Sequence, residues 1–154
     1  MKIKYYNIYK KTIYEIGKFA ILWNDLEYSF LSYGKYRLLE QLYDRIVFDE
    51  LSYETLRQFF ADKKIRYGNT DTFIKCFFPE EADRRPNDNE MKKIIAFVNN
   101  DCSFSRSDHF YGCIAIIKRY RDNLMHGIKD AYSLNSQFDI FHMINNFLES
   151  IHDK

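Results

Sequence analysis

Proline and glycine are scarce in this chain, two and five among 154 residues, so few positions force a helix to stop. Cysteines are also few. Cys76, Cys102 and Cys113 are odd in number and contain no Cys-x-x-Cys pair, which argues against a disulfide framework and a zinc knuckle and fits a reducing cytoplasm. Neither sign of charge prevails: 23 Lys and Arg against 22 Asp and Glu leave a formal charge of +1, so any binding to nucleic acid must be local. No apolar run approaches the roughly 20 residues a membrane span needs. The start, Met1-Lys2-Ile3-Lys4-Tyr5-Tyr6, lacks the apolar core and cleavage site of a signal peptide. The absence of a Gly-rich phosphate loop, a Gly-x-Ser-x-Gly elbow and a His-Glu-x-x-His pair leaves nucleotide hydrolysis, serine-esterase and zinc-protease chemistry without support. The expected setting is the cytoplasm, with no membrane, no metal and no cofactor.

What the chain has in quantity is aromatic residues, 14 Phe and 13 Tyr, and rings at helical spacing are more often core than base-stacking surfaces. Apolar positions recur at three and four, which predicts an all-α protein: an up-and-down bundle of about five main helices in a single domain, 1–154. Ile16, Phe19, Trp23, Leu26 and Phe30 mark a first helix that ends near Gly34, and Leu39, Leu42, Tyr43 and Ile46 mark a second. Leu56, Phe59 and Phe60 mark a third, which Gly68-Asn69 closes, followed by a brief helical piece from Thr72 to Phe78 before Pro79. The charged stretch from Glu80 to Asn89 reads as an exposed loop. Asn87 with Glu90, and Ser105 with Asp108, have the spacing of capped helix starts. The first opens a helix with Met91, Ile94, Ile95 and Val98, and the second opens one with Phe110, Ile114, Ile117 and Leu124. A last helix begins near Ser136 and carries Phe141, Ile144, Phe147, Leu148 and Ile151.

Counting along the penultimate helix places Arg121 on its apolar stripe, where a permanent charge needs an anionic partner. Glu27 or Asp25 on another helix could be that partner, and the arginine would then be structural. Asp122 and His126 are four apart on one helical face, so the carboxylate can orient the imidazole and favour its protonated form. Arg121 and His126 are about 140° apart around the axis, so one straight helix does not aim both at a single phosphate. A twofold pairing of two chains would bring two arginines and two histidines into one cleft. Lys118, Arg119 and Lys129 surround this stretch and could guide a phosphate backbone to it. His109, His142 and His152 share no ligand spacing and read as surface or satisfied-core residues.

Arg121-Asp122-Asn123-Leu124-Met125-His126-Gly127 resembles the Arg-x4-His motif of the HEPN superfamily, and Trp23-Asn24-Asp25-Leu26-Glu27 on an aromatic-rich first helix suits a HEPN-like bundle. The resemblance implies metal-independent endonucleolytic cleavage of RNA that leaves 2',3'-cyclic phosphate and 5'-hydroxyl ends. It implies His126 as general acid or base, Arg121 as the phosphate-holding group and Asp122 as the residue that orients the imidazole. Lys118, Arg119 and Lys129 would bind RNA. The implied setting is a homodimer in phage defence, a stress response or a toxin system, with an antitoxin or another defence component as partner. The alternative from another class is a catalytically silent helical module that binds RNA, a nucleotide or a protein partner.

Overall fold

The computed structural model describes residues 8–29, 42–79, 85–125 and 134–154. Among them the chain is all-α, with six helices: α1 (Lys10–Ser29), α2 (Glu50–Arg66), α3 (Thr70–Phe77), α4 (Asp88–Asn99), α5 (Arg106–Met125) and α6 (Phe138–Ser150). The two strands β1 (Ile46–Val47) and β2 (His152–Asp153) are two residues each and pair antiparallel, Ile46 with Asp153 and Val47 with His152. None of the described helices is long and apolar enough to cross a membrane. Phe30, Gly34, Leu39 and residues 80–84 of the expected loop lie outside the described residues.

The capped starts are where the spacing puts them. Asn87 accepts from the Glu90 backbone N–H at 2.9 Å while its amide donates to the Glu90 side chain, and Ser105 Oγ accepts from the Asp108 N–H at 3.1 Å. Asn69 caps α3 in the same way through the Thr72 N–H. Ile46 departs from expectation. It belongs to β1 instead of a helix shared with Leu42 and Tyr43, because the β-branched pair Ile46-Val47 finds backbone partners at the far end of the chain and Lys154 N–H adds a bond to Arg45 O at 2.9 Å.

The residues cluster into two compact units, one formed by Met1–Tyr53 with Ile117–Lys154, the other by Glu54–Ile116. In the second, Phe60, Phe73, Phe97, Phe110 and Ile114 are fully buried, and Phe73 stacks on Phe77 with ring centroids 5.5 Å apart. Here α4 and α5 approach closely. A Cβ on Gly112 would lie 2.3 Å from Lys93 O, so only glycine fits. Lys93 is itself buried, and its ammonium sits 3.4 Å from Asp108 and 4.6 Å above the Tyr111 ring.

In the first unit, α1 packs along α6. Lys11 lies over Phe138, Glu15 meets His142 and Asn145, and Lys18 pairs with Glu149. These contacts advance together along both helices, which therefore run parallel. Phe141 joins Phe19 of α1 at 5.3 Å and Tyr120 of α5 at 5.8 Å between ring centroids, and Phe147 joins Phe48 and Tyr53. The last turns of α5, with Arg121 and Asp122, belong to this unit.

Candidate active site at the end of α5

Every residue of α5 from His109 to Ile117 is buried, so this helix is covered on all sides for about two and a half turns. The covering opens after Tyr120. Arg121 continues the stripe of Phe110, Ile114 and Ile117, but its side chain keeps 29% of its surface exposed, whereas that of Asp122 keeps only 7%. The deeply placed charge is thus the carboxylate, and the arginine at its side compensates it. Arg121 Nη1 donates to Asp122 Oδ1 at 2.9 Å. Consecutive helix residues do not face each other, and the contact engages a single guanidinium nitrogen. The other guanidinium N–H groups find no acceptor among the described residues.

The expected alternative of an Arg121 pair with Glu27 or Asp25 is not what forms. Glu27 accepts from the Trp23 indole N–H at 2.8 Å, because a buried indole one turn away needs an acceptor. Lys118, partly buried one turn before Arg121, has its ammonium pKa pushed below the ordinary value by burial, with Arg121 adding to the effect while Asp122 and Glu27 oppose it. Arg119 is also partly buried. Lys118, Arg121 and Asp122 are therefore gathered within two turns, with Glu27 of α1 near enough to act on Lys118. His126 and Lys129 lie outside the described residues, as does any contact between Asp122 and the imidazole.

No family model, curated protein or solved structure matches the chain. What this end of α5 can do follows from its own residues. A guanidinium tethered at one nitrogen by a buried carboxylate is held in place yet retains donors for a phosphate oxygen. A half-buried lysine one turn away adds positive potential.

A second polar cluster escaped the sequence reading because its members are 127 and 130 residues apart. Glu15, 6% exposed in the α1–α6 seam, accepts from Asn145 Nδ2 at 2.6 Å and contacts His142 Nδ1 at 3.1 Å. Asn145 gives its second N–H to Glu15 O at 2.9 Å. Among the described residues its own Oδ1 and the Thr12 hydroxyl are buried without a hydrogen-bond partner. His142 is on the surface, as read from the sequence, but with a buried carboxylate fixing its ring.

Burial by itself would raise the Glu15 pKa, but hydrogen bonds from Asn145 and His142, with the charges of His142 and Lys18, bring it below the ordinary 4.5. A depressed carboxylate stabilises the fold above its unfolded-chain pKa, and that contribution disappears as pH falls through the lower folded value. The urea midpoint is therefore expected to drop between pH 6 and pH 3, and Glu15→Gln should flatten that acid dependence. An unchanged acid slope in the variant would remove Glu15 as its source.

Proposed function

We propose that the protein is a metal-independent endoribonuclease of the HEPN kind that acts at the end of α5 as a homodimer. The observation that carries this reading is the arrangement of Arg121: part-exposed, tethered at one nitrogen to buried Asp122, and five residues before a histidine. In the proposed reaction the ribose 2'-oxygen forms a bond to the adjacent phosphorus as its proton leaves to a base, and the bond from phosphorus to the 5'-oxygen breaks as that oxygen is protonated. His126 serves as general acid or base, a role an imidazole side chain can fill near neutral pH. Arg121 holds the phosphate and stabilises the charge that builds on its oxygens, and Lys118, Arg119 and Lys129 guide the backbone. Asp122 fixes Arg121 and is placed four residues before His126 to orient its ring. Two copies supply two such sets to one cleft. A role in phage defence, a stress response or a toxin system, alongside an antitoxin or another defence component, goes with this reading.

The contact between Arg121 and Asp122 also favours a second reading. A guanidinium already neutralised by a neighbouring carboxylate suits a silent helical module that binds RNA, a nucleotide or a protein partner without cutting. Incubating single-stranded RNA with the purified protein in EDTA separates the two. Strand scission by wild type and its loss in His126→Ala are expected of the enzyme, and intact RNA that stays bound to folded protein is expected of the module.

A further inference from the structure

The outer face of α1 is apolar where a solvent-facing stripe is ordinarily polar. Tyr14, Ile21 and Tyr28 recur every seven residues and are 64%, 65% and 89% exposed. Lys18 approaches the Tyr14 ring from the α6 side, 5.9 Å from its centroid, and still leaves most of it open. Between these three, Lys10, Gly17 and Asn24 repeat at the same interval, and all are exposed. At 100° per residue the six fall within about 80° around the axis, on the side opposite buried Phe19, Trp23 and Leu26. Exposed Ile13 and Ala20 border one edge of the stripe, and Lys11 and Asp25 border the other. Steps of three and four that repeat every seven are the seam of two helices coiled together.

The seam is complementary to itself in one direction. Laid antiparallel on a second α1, with the twofold axis level with Phe19, Ile21 falls over Gly17 of the other copy, where no described residue lies within 4 Å of an added Cβ. Tyr28 falls over Lys10, a cation against an open ring, and Tyr14 falls beside Asn24, a hydroxyl against an amide. Lys11 at the edge meets Asp25 of the other copy, and the two helix dipoles oppose. A parallel pairing instead sets Lys10 on Lys10, Lys11 on Lys11 and Gly17 on Gly17, with like charges together and a gap between the glycines. We infer that this face of α1 binds a second copy of the chain, the two α1 helices antiparallel in an isologous dimer. The pairing is independent of the chemistry at the end of α5. Glu27, whose charge acts on Lys118, lies toward the C-terminal end of α1, so antiparallel helices hold the two α5 ends apart. The cleft of the ribonuclease reading is then a second twofold contact, and chains that form both assemble as tetramers.

The test is sedimentation equilibrium of the full chain over a series of concentrations. Wild type should have at least twice the mass of the monomer, and Ile21→Glu, which sets a carboxylate in each half of the seam, should halve the wild-type mass. Lys11→Glu and Asp25→Lys each turn both Lys11–Asp25 contacts into like-charge contacts. Each should raise the dissociation constant of the α1 pair about tenfold, and the double variant, with the charges exchanged, should restore it. In a parallel pair each single change merely replaces one like-charge contact with another. All three side chains are exposed, so circular dichroism and the melting temperature of the monomer should be unchanged. A monomeric wild type, an undiminished mass in Ile21→Glu, or single charge variants that associate as tightly as wild type would overturn the pairing. The ribonuclease cleft is read separately from the same data: Ile21→Glu remains a dimer if the α5 ends also pair, and becomes a monomer if they do not.

Discussion

Arg121→Ala is expected to lower RNA cleavage by about 10²- to 10³-fold, the effect typical of removing one preorganised donor from a developing oxyanion. The same change removes the ion pair between Arg121 and buried Asp122, so part of any loss of activity would come from the fold. Arg121→Lys distinguishes the causes. A lysine keeps a positive charge beside Asp122 and should preserve the melting temperature to within a few degrees. Its compact ammonium lacks the planar fork that lets one nitrogen hold Asp122 while others meet the phosphate, so cleavage should remain at least roughly tenfold down. A lysine variant with wild-type activity would show that Arg121 acts only as a charge, and an alanine variant with wild-type activity would remove it from the chemistry.

Gly112→Ala is expected to be strongly destabilising. The added methyl would sit 2.3 Å from Lys93 O and 2.7 Å from Lys93 C, both backbone atoms that cannot swing aside. Relief requires α4 and α5 to separate, which disturbs the neighbouring Lys93 contacts with Asp108 and Tyr111. Overpacking of this kind costs about 3 kcal/mol, equivalent to a fall in melting temperature of roughly 10 °C for a chain of this size. Thermal denaturation measures it directly, and Gly17→Ala, where no described residue lies within 4 Å of the added atom, is the matched control. Equal melting temperatures for the two variants would mean that the α4–α5 approach is looser than described.

Much of the helical plan was legible because it is local. Caps at Asn87 and Ser105 depend on residues three apart, and the stripes of α5 and α6 depend on three- and four-residue spacing, so both can be read off one segment. Ile46 was misplaced because a two-residue strand has no period of its own and its partners, His152 and Asp153, lie at the other end of the chain. Arg121 does pair with an anion, but the partner is the adjacent Asp122, and the buried charge of the pair is the carboxylate, not the guanidinium. Reasoning from helix faces looks to residues three and four away and passes over Asp122 as a partner for the residue beside it. The Glu15–His142–Asn145 cluster had no local signal at all, since only the packing of α1 on α6 assembles it. Aromatic residues divided in a way composition could not show: Phe19, Phe60, Phe73 and Phe141 fill cores while Tyr9, Tyr14 and Tyr28 face solvent.

The proposed enzyme stands most directly on the chemistry of its products. Single-stranded RNA incubated with the purified wild-type protein in EDTA, followed by analysis of the new termini, should give 2',3'-cyclic phosphates and 5'-hydroxyls, with none formed by His126→Ala. Intact RNA beside folded, dimeric protein, or 5'-phosphate ends that appear only when a divalent metal is added, would contradict it.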